Sequence, residues 1–220
     1  MSALLQVQGL SAWYGAAQAV FDVSLTVARG EVVALTGPNG AGKSSTLKAL
    51  MQLMPRRQGR VNWQGQDVSN WPTHQLARAG LGYVPEDRRI FTDLSVLENL
   101  RIATQAPRRF ADGSPAPHWD LPQVLALFPN LAEMLHRRAS QMSGGEQQML
   151  TVARALMGQP LLVLLDEPSE GVAPLIVAQM AEAVRALQRA GVGVLLSEQN
   201  EAFAHAVSDR QVRLSHGALA

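Results

Sequence analysis

The 220-residue sequence contains no cysteine, which excludes disulfide bridges and thiolate-bound metal. Its five histidines are dispersed along the chain. No apolar run approaches the roughly 18 residues expected of a membrane span, and the opening Met1-Ser-Ala-Leu-Leu-Gln6 has no basic flank of the kind that precedes a signal peptide. The formal net charge is +1. Arginine pairs at 56–57, 88–89, 108–109 and 137–138 are scattered, and with so small a net charge nothing suggests a general nucleic-acid or anionic-membrane binder. Repeats and low-complexity stretches are not evident. What remains is a 47% hydrophobic composition in a length that suits one substantial α/β core.

Gly37-Pro38-Asn39-Gly40-Ala41-Gly42-Lys43-Ser44 carries the clearest chemistry. It follows the apolar run Glu31–Thr36 and precedes a helix-like stretch from Lys43 to Met54, stopped by Pro55, so strand, glycine loop and helix come in the order a phosphate-binding loop requires. The glycines let the backbone turn tightly and aim N–H groups inward, and the following helix adds partial positive charge for a polyphosphate. Lys43 supplies a point charge for the terminal phosphates. Ser44 supplies a hydroxyl for Mg²⁺, and Ser45 reaches toward the α-phosphate.

Leu161-Leu-Val-Leu-Leu165 reads as a buried parallel strand that presents Asp166 and Glu167 at its C-terminal edge, where ligands bind in open α/β sheets. Asp166 is the expected metal ligand and Glu167 the group that orients or deprotonates an attacking water. Far from the first loop, Ser143-Gly144-Gly145-Glu146-Gln147 starts a helix running through Met149 and Arg154 to Leu156. Its exposed N–H groups form a second anion site.

Together these segments resemble the nucleotide-binding subunits of ABC transporters over nearly the whole chain, and Ser143–Gln147 matches the signature that separates that family from other P-loop ATPases. The resemblance implies that Ser143, Gly144, Gly145 and Glu146 close over the γ-phosphate held by another subunit, so that ATP and Mg²⁺ lie between two subunits facing in opposite directions. It implies adenine stacking on Tyr14, with Trp13 a packing residue. The loop Ser169–Ala173 is then at the subunit interface, although Ala173 replaces its usual aspartate. Glu86 stands where the family has glutamine, adding negative charge beside the metal, and Gln199 stands where it has a switch histidine. Gln199 can hydrogen-bond the γ-phosphate but cannot become cationic. With Glu86–Leu100 and Pro168–Pro174, these replacements resemble the branch that imports branched-chain amino acids and related polar solutes.

The expected fold is α/β: a P-loop core of parallel strands at Glu31–Thr36, Leu81–Val84, Leu161–Leu165 and Val192–Leu196, with short antiparallel strands at Leu4–Gly9, Val20–Val27 and Arg60–Trp63. The chain is expected to be one domain, 1–220, in which 1–85 and 160–220 form the nucleotide core and 86–159 a helical insert with a loop at Pro107–Pro122. Ile176, Met180, Val184 and Leu187 share one face of a helix after Pro174. In the family the insert's groove receives a short helix from a membrane subunit. Arg88–Leu100 is the candidate docking segment, with Ile90, Phe91, Leu94 and Leu97 either docking or packing residues, and Arg88-Arg89 a candidate subunit contact.

The implied partners are a second ABC ATPase, identical or homologous, two transmembrane permease subunits and, indirectly, an extracytoplasmic solute-binding protein. The implied place is the cytoplasmic face of the membrane. A urea or amide importer and a soluble, non-transport ABC ATPase are the alternatives. The latter usually carries two cassettes or long coiled-coil or zinc insertions. A small-molecule P-loop kinase gives Ser143–Gly145 no role.

Overall fold

The computed structural model describes residues 3–220. Met1 and Ser2, part of the opening segment considered for a signal, lie outside the described residues. In chain order the first half comprises β1 (Ala3–Tyr14), β2 (Ala17–Ala28), β3 (Val32–Thr36), α1 (Lys43–Leu50), β4 (Arg56–Trp63), β5 (Gln66–Asp67), α2 (Thr73–Arg78) and β6 (Leu81–Val84). Four helices follow: α3 (Val96–Ile102), α4 (Leu121–Leu127), α5 (Pro129–Ala132) and α6 (Gly144–Met157). The chain then closes with β7 (Leu162–Asp166), α7 (Pro174–Ala190), β8 (Gly193–Glu198), α8 (Glu201–Val207), β9 (Arg210–Ser215) and β10 (Ala218–Leu219).

One sheet has the order β2-β1-β4-β5 and is antiparallel; the other has the order β10-β9-β3-β8-β7-β6 and is parallel except at β10. The parallel strands are continuous apolar runs because both of their faces are covered. Val32, Ala34, Val163, Leu165, Val194 and Leu196 point into a core shared with α6, α7 and α8. Their neighbours Val33, Leu35, Leu162, Leu164 and Leu195 point into a second core shared with α1 and the antiparallel sheet. The expected stripe on α7, Ile176, Met180, Val184 and Leu187, is buried, each side chain contributing about 1.5–3 kcal/mol by leaving water. No helix among the described residues is long and apolar enough to cross a membrane.

Several boundaries differ from the sequence expectation. The helix expected to reach Met54 ends at Leu50, because Gln52 turns to φ 61° and the Met51 carbonyl accepts the Thr73 hydroxyl at 2.8 Å. β4 begins at Arg56, not Arg60: Arg56 pairs with Trp13 across the strands and stacks its guanidinium 4.5 Å from the Trp13 ring. β1 continues past Gly9 to Tyr14 through a register shift opposite both neighbours. The loop expected to end at Pro122 gives way to α4 at Leu121, capped by Asp120, with Pro122 in the first turn where its missing N–H costs nothing. The short elements β5, α2, α8, β9 and β10 were not expected at all.

Candidate active site

The pairing register assembles the site. Thr36 at the end of β3 stands opposite Glu198 at the end of β8, and Asp166 at the end of β7 stands opposite Ser197. The glycine loop, the two carboxylates and the turn at Gln199 therefore leave the sheet at one edge, the C-terminal one.

Between Thr36 and α1 the backbone needs glycine for a steric reason. Gly37 has φ 142°, and a Cβ there would lie 2.3 Å from the Leu214 carbonyl oxygen; at Gly42, φ 96°, it would lie 2.9 Å from that of Ala19. The loop borders a cavity of about 630 Å³ whose walls include Asn39 to Ser45, Glu86, Glu167 and Glu170. Gln18, Ala19, Phe21, His216 and Gly217 complete it. Lys43 donates to the carbonyls of Gly37 and Pro38 at 2.9 and 3.2 Å and forms an ion pair with Glu167 Oε1 at 3.0 Å, the two side chains being 4% and 6% exposed. The loop lysine is thus paired with the proposed base.

Asp166 is fully buried. The Ser197 hydroxyl donates to its Oδ1 at 2.6 Å and the Tyr83 hydroxyl to its Oδ2 at 3.2 Å. Burial first, and then the Asp166 charge, raise the Tyr83 pKa, so the phenol stays a donor. Glu167 adopts φ 48° and donates its N–H to the Ser197 carbonyl and hydroxyl oxygens, both at 3.1 Å. This unusual backbone conformation turns its side chain away from the strand's alternation. Gln199 is exposed and meets Glu167 through its main-chain N–H, 3.2 Å from Oε2. Glu86 is exposed on the cavity wall, its pKa raised by burial and then by the Glu170, Asp166 and Glu167 charges. Oxygen donors of this kind, Ser44 and Glu86 on the wall with Asp166 behind, suit a hard divalent cation, which would also relieve the crowding of negative charge. Among the described residues no group of three or more acidic or histidine side chains forms a metal cage.

Other expected residues lie elsewhere. Ser143, Gly144, Gly145 and Glu146 do not line the cavity. They open α6 with a reciprocal cap: Glu146 N–H to the Ser143 hydroxyl at 3.4 Å and Ser143 N–H to the Glu146 carboxylate at 2.7 Å. A Cβ at Gly144 would lie 2.8 Å from Arg88 Nη1, and one at Gly145 would lie 2.8 Å from Ile176 Cγ1. Arg88 therefore turns inward over the signature while Arg89 pairs with Asp87 on the surface at 2.9 Å. Tyr14 is half exposed at the end of β1 and is not one of the cavity walls, while Trp13 is buried as expected. Within 88–100, Ile90 packs on the core and Leu94 and Leu97 are half-buried, leaving Phe91 half exposed. Buried Asn99 holds this segment through both polar atoms, accepting the Phe91 N–H at 3.0 Å and donating to the Phe91 and Ser95 carbonyls at 2.9 and 3.0 Å. Ser197, Tyr83, Glu198, Asn99 and His216 escaped the sequence reading; only strand register and turn geometry bring them to the site or its neighbourhood.

The ABC transporter family matches residues 20–170 of this chain. The chain belongs to that family. This ABC protein is similar to the high-affinity branched-chain amino acid transport ATP-binding protein BraG of Pseudomonas aeruginosa, 41% identical over 98% of this chain and 91% of the relative. It is also similar to the lipopolysaccharide export system ATP-binding protein LptB of Escherichia coli K12, 36% identical over 99% of this chain and 89% of that one. Among solved structures, an ATP binding subunit of an ABC transporter superposes with a TM-score of 0.81 at 32% identity, covering 98% of this chain and 88% of its own. The ABC chain is an ATP-binding subunit of a transporter and an ATPase, converting ATP to ADP and phosphate.

Proposed function

We propose that the chain energises uptake of branched-chain or other amino acids, as one of two ATPase subunits held at the cytoplasmic face of the membrane by two permease subunits that receive solute from an extracytoplasmic binding protein. The observation that carries the cargo is the 41% identity to BraG across 98% of the chain. The replacements Glu86 and Gln199 agree with that branch. In this reading 1–85 and 160–220 are the nucleotide core, and 86–159 is the helical part that carries the signature and docks on a permease through the half-exposed Phe91.

The chemistry follows from this arrangement. Triphosphate enters the cradle of Gly37 to Ser45 and draws Lys43 from Glu167, because a phosphate held by several N–H donors is a stronger partner than one carboxylate. Glu167 is then free to orient or deprotonate water, and Ser197 keeps it and Asp166 in register. Ser44, Asp166 and Glu86 would hold Mg²⁺, which would neutralise phosphate charge. Tyr14 would stack adenine after turning toward the cavity. A second subunit's Ser143–Glu146 closes the other side, which accords with the separation of those residues from the chain's own phosphate loop.

Disrupting the coding region tests the cargo: radiolabelled leucine uptake should fall to background and return with the unsubstituted chain. Unchanged uptake with failed lipopolysaccharide delivery to the cell surface would favour export, a second reading supported by the 36% identity to LptB. Loss of urea uptake alone would favour an amide importer.

A further inference from the structure

We propose that Glu198 is a positioning residue that locks the segment following Glu167 to the turn that carries Gln199. Glu198 ends β8 and is 1% exposed. Its Oε1 accepts the N–H groups of Gln199 and Asn200 at 2.9 and 3.0 Å, and its Oε2 accepts the N–H of Ser169 at 3.4 Å. The Gln199 N–H is shared, since it also reaches Glu167 Oε2 at 3.2 Å. One carboxylate therefore bridges the loops that leave two neighbouring strands, and touches the amide that contacts the proposed base.

Neutral chemistry would satisfy part of this geometry at lower cost. Among the described residues no cation pairs with Glu198, and burial, with the Glu167 charge, raises its pKa against the lowering effect of the Asn200 and Gln199 N–H groups and the Ser169 side chain. A glutamine carbonyl oxygen accepts the Gln199 and Asn200 N–H groups equally well. What a carboxylate adds is the second acceptor, the one that Ser169 uses. The charged side chain thus has a geometric job, to make Ser169–Ala173 and Gln199–Asn200 move as one body. A shift of the interface loop then displaces the amide beside Glu167, and the reverse.

The inference rests on the reading of Glu167 and Gln199 as the hydrolytic corner. The test uses the full chain with Glu198→Gln, and with Glu167→Gln as the control for that reading. Glu198→Gln should lower kcat for ATP hydrolysis about tenfold while KM stays within about twofold, and amide hydrogen exchange should quicken at Ser169 but not at Gln199 or Asn200. In the unsubstituted chain the Ser169 amide should be protected to the same degree as those two, a measurement that needs no variant to fold. An unprotected Ser169 amide, an unchanged kcat in Glu198→Gln, or an unaltered Ser169 exchange rate in that variant overturns the proposal. Full-speed hydrolysis by Glu167→Gln would overturn the underlying reading; a stalled Glu167→Gln beside a normal Glu198→Gln overturns only the role of Glu198.

Discussion

Lys43 Nζ lies 3.0 Å from Glu167 Oε1 in a pair almost withdrawn from solvent. Two groups given different partners in the proposed hydrolysis are here paired with each other. The pair explains how a buried lysine and a buried glutamate coexist in this fold, since either alone would be an uncompensated charge. Replacing Lys43 by alanine should therefore lower the unfolding free energy by about 3 kcal/mol, besides abolishing nucleotide binding. Urea denaturation and ATP filter binding measure the two effects.

Glu167→Gln should keep ATP and lower turnover by about 100-fold or more, the usual scale for losing a group that handles a proton. Phosphate release and retained radiolabelled ATP give the two readings. An unchanged rate would show that another group handles the water.

Ser197 has a different weight. Its hydroxyl donates to Asp166 at 2.6 Å and accepts the Glu167 N–H at 3.1 Å, so Ser197→Ala leaves one buried carboxylate oxygen without its donor. The Mg²⁺ concentration for half-maximal hydrolysis should rise about tenfold. A Mg²⁺ titration at saturating ATP decides this.

Gly144→Ala separates folding from assembly. The added methyl meets only the end of the Arg88 side chain, which can move, so stability should change by less than about 1 kcal/mol. Hydrolysis by the assembled subunits should nevertheless fall about tenfold or more, because in the proposed dimer the methyl would crowd the N–H groups assigned to the other subunit's phosphate. Thermal unfolding and phosphate release on the same preparation give both values.

Acid should loosen the start of α3. The Ser95 hydroxyl and N–H both donate to Glu98, at 2.7 Å each, and these bonds lower the Glu98 pKa. A lowered folded-state pKa contributes stability that is present above the ordinary glutamate value of about 4.5 and is lost as pH falls through the folded value. The Tm difference between the parent and Glu98→Ala should thus be present at pH 7 and shrink below pH 4.5.

The parallel core was legible because each strand buried on both faces is a plain apolar run, and the phosphate loop because its glycines stand between a strand and a helix. Asp166 and Glu167 were legible as the first polar residues after such a run. Ser197 and Tyr83 were not, since within strands they look like ordinary tolerated polar residues and only the pairing of β7 with β6 and β8 sets them beside Asp166. The hairpin of β9 and β10 was missed because β9 exposes most of its residues and so loses the apolar signal; only Val212 and Leu214 alternate inward. Yet the carbonyl of Leu214 is what forbids a side chain at Gly37. The end of α1 was misread because Pro55 marks the latest stop, whereas the Gln52 turn supplies an earlier one.

The central claim, that ATP is gripped by the phosphate loop of one subunit and the signature of another, is tested most directly by measuring hydrolysis per molecule against protein concentration, with sedimentation of the same samples. The account predicts that the rate per molecule climbs as dimer appears and vanishes where only monomer sediments. Constant, full-speed hydrolysis by a strictly monomeric chain would contradict it.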